Sequence, residues 1–296
     1  MYIDKICVRL PEISDDGIYQ YDENPLTLNQ SHFSNYIATL GESERPNYII
    51  VASSSLYLNP GKVDYRYIEE FLGRAGLGAI PSILICQNQC ANAYYAMDIA
   101  EKMISTKAAN HVLLIIYEWL GCDADRKMPS NEAILSDGIG WGLLSNYSKS
   151  GYQIELLDNV VDREIVLVTD PYLKAFVNIK AFGKIVARNE EVIEECGLVF
   201  PLFNRSTIEF FLTGKPQILE SIVNYPRYEG KHFLSLDILI HLTREDVQID
   251  NLLFLLIGVG KFCLIYGGPI RQDRIQSSLS WSVRPSRNCM ALPHSC

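Results

Sequence analysis

Cys90 holds the most chemically useful position in the chain. It ends the segment 81–90 (PSILICQNQC) and is followed at once by 91–100 (ANAYYAMDIA), whose spacing reads as a helix. The pattern predicts a buried strand, a sharp turn, and a thiol where a helix begins. Unpaired backbone N–H groups and the positive end of the helix dipole stabilise a thiolate at such a position and can receive an oxyanion. The chemistry this suggests is attack on a thioester carbonyl. The alternative for Cys90 is an inert core thiol, and Cys86, four residues earlier, has only that reading. Downstream, 112–118 (VLLIIYE) reads as a buried strand ending at the carboxylate Glu118. After it, 134–144 (ILSDGIGWGLL) supplies an Asp137-Gly138 turn feeding another strand, with Gly138, Gly140 and Gly142 allowing close backbone approach.

These residues need a scaffold, and apolar runs outline one. Strands are expected at Ile3 to Leu10, Tyr48 to Ala52, Val112 to Tyr117, Trp141 to Leu144, Ile154 to Leu157, Leu252 to Ile257 and Phe262 to Tyr266. The clearest helix is Ala91 to Thr106, where Ala93, Tyr94, Met97, Ala100, Met103 and Ile104 share one face. Further helical patterns cover Lys184 to Glu195, Ser206 to Leu212 and Leu234 to His241. Strands apolar on both faces and alternating with helices indicate an α/β fold with a covered sheet. The Lys-Ser-Gly at 149–151 is the expected seam between halves 1–148 and 149–270. Beyond it, 271–296 reads as a basic surface tail, Arg271, Arg274, Arg284 and Arg287 facing the single acid Asp273.

Composition narrows the function classes. The 296 residues are 48% hydrophobic and 21% charged, ordinary for a folded protein and unlike a disordered or collagen-like chain. A net charge of -9 argues against nucleic-acid binding through general phosphate neutralisation. No apolar run is long enough to cross a bilayer, and Asp4 and Lys5 interrupt any signal-like start, so a cytoplasmic, membrane-free protein is expected. Eight cysteines include no CxxC pair, so no zinc site is expected, and without a GxxxxGK(S/T) or strand-linked GxGxxG motif no nucleotide or redox cofactor is expected.

Taken in order (strand, Cys90, helix, strand ending in Glu118, DGxG, strand), the set resembles the β-ketoacyl-acyl carrier protein synthase III family of the thiolase superfamily. Residues 90–97 (CANAYYAM) resemble the family's nucleophile segment, with Cys90 on the acyl-accepting cysteine. Residues 49–55 (IIVASSS) resemble the preceding strand, 135–140 (LSDGIG) the Gly-Asp-Gly turn, and 255–260 (LLIGVG) with 266–268 (YGG) the glycine-containing final strands. The resemblance implies a thiolase-like fold: two pseudo-symmetric halves in layers α-β-α-β-α. It also implies an acyl carrier protein or acyl-CoA thioester as substrate and a homodimer, or a heterodimer with a related synthase.

The departures are as informative. The family's histidine, in a Pro-His-Gln-Ala-Asn stretch, is replaced by Leu202 within 199–204 (VFPLFN), which can neither donate to an oxyanion nor move a proton. The family's asparagine falls on Gly230 or Lys231 of 228–237 (YEGKHFLSLD), and His232 follows. His232 is the expected replacement base, with Asp237, at a helix start, to orient it. Cys90, His232 and Asp237 would then suit acyl transfer to a hydroxyl, an amine or water, as in relatives that make esters. The other reading leaves His232 as a satisfied histidine and Asp237 as a helix cap. His241 lies too far along the helix, and His32 and His111 belong to no motif. Residues 15–45 hold no tryptophan and no arginine before Arg45, which favours a carrier-bound acyl group over direct CoA recognition. Two functions follow. One is an acyltransferase, ketoacyl synthase III-like, in fatty-acid-like or polyketide-type biosynthesis. The other is a catalytically degenerate subunit paired with an active paralogue.

Overall fold

The computed structural model describes residues 1–14, 17–58, 65–121, 124–128, 133–148, 151–161, 171–213, 216–219, 222–223, 228–243, 251–258 and 261–269. The expected seam residues Lys149 and Ser150 and the tail 271–296 lie outside them. The strands, in chain order, are β1 (Tyr2–Arg9), β2 (Tyr48–Ala52), β3 (Ser82–Ile85), β4 (His111–Glu118), β5 (Ile134–Leu135), β6 (Gly138–Ser145), β7 (Tyr152–Val161), β8 (Gly197–Val199), β9 (Lys231–His232), β10 (Leu252–Gly258) and β11 (Lys261–Pro269). Nine of them form one sheet in the order β3-β2-β4-β6-β1-β7-β11-β10-β8, and β5 pairs with β9 separately.

The sheet repeats one topology. In the first half β1 is antiparallel to β6, β6 antiparallel to β4, and β4 parallel to β2. In the second, β7 is antiparallel to β11, β11 antiparallel to β10, and β10 parallel to β8. The parallel edge strand β3 has its counterpart in a lone parallel bridge from Leu198 to Ile222. The halves join where Tyr2 and Ile3 of β1 pair with Gln153 and Tyr152 of β7.

Side-chain alternation along the strands converts this sheet into layers. Val112, Leu114 and Ile116 of β4 and Leu252, Phe254 and Leu256 of β10 enter one central core. That core also holds Ala93, Met97 and Ala100 from the helix Asn92–Ser105 and Ile238, Leu239 and Leu242 from the helix Asp237–Leu242. The intervening residues Leu113, Ile115 and Tyr117 face outward against Phe33 and Phe71 of the helices Gln30–Thr39 and Tyr65–Arg74. In the second half Leu253 and Leu255 face Phe182 and Ile185 of the helix Pro171–Arg188. The layers run helix, half-sheet, central helices, half-sheet, helix. Burial on both faces is why these strands read as continuous apolar runs. Among the described residues no helix is long and apolar enough to cross a membrane.

Local differences from the sequence reading have physical causes. The pattern at Lys184 to Glu195 belongs to two helices, Pro171–Arg188 and Glu190–Glu194. Between them the Asn189 side chain donates to the Ile185 carbonyl at 2.8 Å, taking the acceptor that a continuing helix would use. β6 starts at Gly138 rather than Trp141, so the glycines lie in a strand. A Cβ at Gly138 would collide with Leu236, the residue just before the Asp237 helix. The segment before Cys90 is an edge strand, half-buried along its length, because β3 has a partner on one side only.

Candidate active site

Two helix starts converge at the centre of the molecule. The first begins with a 3-10 turn over Gln89–Ala91 and continues as the helix Asn92–Ser105, placing Cys90 in the turn itself. Asn92 Oδ1 accepts the Asn88 N–H at 2.9 Å, and Gln89 takes a left-handed backbone (φ 49) that non-glycine residues adopt at a cost. β10 ends at Gly258 directly against this turn. A side chain at Gly258 would meet the Asn88 carbonyl oxygen, so only glycine lets β10 come this close.

The second start carries His232 and Asp237. Residue 232 belongs to β9, whose parallel pairing to β5 sets Leu135 opposite His232. The Ser136 N–H then donates to the His232 carbonyl at 2.9 Å. The Asp-Gly turn is thus the mount for the histidine. Asp137 anchors that mount: both of its oxygens accept from Arg126 at 2.9 Å, and the Leu120 and Tyr21 N–H groups donate to it at 3.0 Å.

The structure brings the three expected site residues together. Cys90 Sγ lies 3.0 Å from His232 Nε2, and His232 Nδ1 lies 2.6 Å from Asp237 Oδ2. Asp237 also accepts the Phe233 N–H at 2.8 Å and the Leu202 N–H at 3.1 Å. Leu202, where the family's histidine was expected, therefore acts through its backbone, holding the carboxylate that holds the imidazole. The Phe203 ring meets the imidazole edge-on at 5.0 Å between centroids. The cluster is 7%, 0% and 2% exposed at Cys90, His232 and Asp237, and low-dielectric surroundings strengthen its electrostatics.

Burial alone would push the His232 imidazolium down. The Asp237 carboxylate, the Cys90 sulfur and hydrogen bonds to both outweigh it and hold the ring well above the ordinary histidine range. Folded His232 thus keeps its proton where an unfolded histidine, near about pH 6.5, has lost it. The resulting stability is full below the unfolded value and is lost as pH rises through the folded one. The difference in urea midpoint between wild type and Asp237→Asn is expected to be widest below about pH 6.5 and to narrow toward alkaline pH. A difference that stays constant or widens with rising pH would exclude the ion pair.

Residues that sequence reasoning left without a role surround this cluster. Glu118, seen only as a strand end, is wholly buried and accepts N–H bonds from Ser54 (2.9 and 3.0 Å), Ser55 (2.8 Å) and Ser235 (3.2 Å). Burial pushes its carboxyl up to about 7 against the pull of those donors. The three serines after an apolar strand were the available signal. Of the other histidines, His32 meets Arg9 at 3.2 Å on an exposed surface, His111 opens β4, and His241 is buried beside Phe254. Among the described residues no group of three or more His, Cys, Asp or Glu is placed to hold a metal ion.

Comparison with known proteins agrees with this architecture. No family model and no curated protein matches the chain. Solved structures do. ChlB3, described as an acyltransferase, is 15% identical with a TM-score of 0.66 over 91% of this chain and 97% of its own. A variant of OleA from Xanthomonas campestris is 15% identical with a TM-score of 0.63 over 85% and 83%. The 3-oxoacyl-[acyl-carrier-protein] synthase III of Aquifex aeolicus VF5 is 19% identical with a TM-score of 0.61 over 90% and 99%. The chain has the fold that these structures share, the thiolase fold.

Proposed function

We propose that the chain is an acyltransferase that loads an acyl group on Cys90 and passes it to a hydroxyl, an amine or water. The observation that carries this reading is the continuous contact from Cys90 Sγ through the His232 ring to Asp237, at 3.0 and 2.6 Å. An imidazolium beside the sulfur stabilises negative charge on it. The sulfur attacks the carbonyl of an acyl thioester, and the C–S bond to the carrier breaks as the leaving thiol takes the Nε2 proton. The acceptor then attacks the Cys90 thioester while Nε2 removes its proton, and the acyl–sulfur bond breaks. Asp237 keeps the ring oriented throughout. Oxyanion stabilisation falls to N–H groups around residue 90 and the end of β10, which approaches that turn at Gly258. Leu202 at the family's histidine position, and Gly230 or Lys231 at its asparagine position, remove the pair that assists carbon–carbon condensation, which favours a heteroatom acceptor.

The thioester carrier is acyl carrier protein or CoA, and acyl carrier protein is the carrier in the names of the synthase III structures that share this fold. Intact-mass measurement after incubation with acyl-carrier and acyl-CoA thioesters is expected to show one acyl adduct on wild type and none on Cys90→Ala. Light scattering on the same preparation is expected to give a dimer mass. No adduct with any thioester, together with co-purification of a related synthase, would replace this reading with that of a non-catalytic subunit.

A further inference from the structure

The two helix starts are copies of one motif. In 88–92 and 233–237 the second residue is left-handed (Gln89 φ 49, Leu234 φ 56), and a 3-10 turn follows. The fifth residue then opens the helix and accepts the N–H four positions back, at 2.9 Å for Asn92 and 2.8 Å for Asp237. This correspondence puts Ser235 where the first half has Cys90. What lies in front of the two turns differs. The Cys90 turn faces Gly258 at the end of β10, with no side chain. The Ser235 turn faces Glu118 at the end of β4, whose Oε1 accepts the Ser235 N–H at 3.2 Å.

We infer that Glu118 is a positioning residue for the Cys90–His232 pair, a built-in carboxyl group occupying the second half's copy of the nucleophile turn and tying the two turns together. The tie is continuous. Glu118 takes the Ser54, Ser55 and Ser235 N–H groups, and Ser54 Oγ meets Ser235 Oγ at 2.7 Å. Ser235 Oγ donates to the Gln89 carbonyl at 3.1 Å, one residue before Cys90, and Asn92 Nδ2 donates to Ser54 Oγ at 3.3 Å. Without the carboxylate, three N–H groups that converge on one point lose their acceptor, and the Ser235 turn that carries His232 and Asp237 loses its fixed distance from Gln89. Its catalytic consequence rests on the proposed acyl transfer, but its test needs no acyl donor.

The experiment is iodoacetamide alkylation of Cys90, followed by peptide mass mapping from about pH 5 to about pH 9, in wild type, Glu118→Gln, Glu118→Ala and Ser235→Ala. Glu118→Gln, with its far-ultraviolet dichroism unchanged, is expected to slow alkylation at neutral pH on the order of tenfold and to alter the shape of the pH profile. Formate is expected to restore part of the rate in Glu118→Ala by refilling the carboxyl position. Ser235→Ala, which keeps the backbone N–H and loses the hydroxyl bridge, serves where the Glu118 variants do not fold, and a several-fold slowing is expected. A folded Glu118→Gln or Ser235→Ala with the wild-type rate and profile would overturn the inference. A wild type that forms no acyl adduct yet shows these alkylation differences would remove the acyltransferase and leave the tie intact.

Discussion

His232→Ala is expected to load and transfer acyl groups about 10²- to 10⁴-fold more slowly than wild type, the range for removing a positioned acid–base group. Among the described residues the ring is the one group that touches both Cys90 Sγ and Asp237 Oδ2. Alanine removes the cation beside the sulfur and the base for the acceptor in one change. Asp237 keeps its bonds from Phe233 and Leu202, so the turn before its helix retains its backbone anchors. The measurement is a time course of intact mass for loading, and of acyl loss in the presence of an alcohol or amine for transfer. A variant that is folded and loads at the wild-type rate would remove His232 from the mechanism.

Arg126→Ala is expected to be strongly destabilising. The guanidinium is 5% exposed and binds both oxygens of Asp137, which is fully buried. It also donates to the Leu135 and Gly121 carbonyls at 3.2 and 3.0 Å. Truncation leaves a buried carboxylate with only two backbone donors, a loss of about 3–5 kcal/mol. Urea unfolding gives this directly, and a loss below about 1 kcal/mol would show that water replaces the guanidinium at little cost. Leu135 pairs with His232 and Ser136 donates to its carbonyl, so the same variant is expected to load acyl groups slowly even where it remains folded. A destabilised variant with full loading activity would separate the Asp137 mount from the histidine it carries.

How much of the site was legible depended on the range of the interaction. Cys90 stood out because strand, turn and helix follow one another in sequence, so the thiol's place at the helix start is a local property. His232 and Asp237 could be named as candidates, since they lie five residues apart at a helix start. That their imidazole reaches a sulfur 142 positions away was expected only through the family resemblance, since no spacing in the chain links the two segments. The Glu118 bonds to Ser54 and Ser235 span 64 and 117 positions, and the three serines after β2 were the one trace of them in the sequence. Arg126 sits in a polar stretch with no periodicity, and its value comes from the carboxylate and the two carbonyls it meets.

The amino-acid sequence by itself determined the alternation of apolar strands and helices, and with it a covered sheet, because burial on both faces leaves a continuous apolar signature. It also determined the thiol at a helix start and the loss of the imidazole at Leu202, both matters of residue type at a position. Tertiary structure alone decided that the two halves repeat one turn, that Gly258 stands before one copy and Glu118 before the other, and that the imidazole offered by the second turn meets the sulfur of the first. The reason is physical: periodicity records how each segment faces its own core, whereas a catalytic contact is made between turns that share no sequence neighbourhood and are aligned only by packing of the two central helices between the half-sheets.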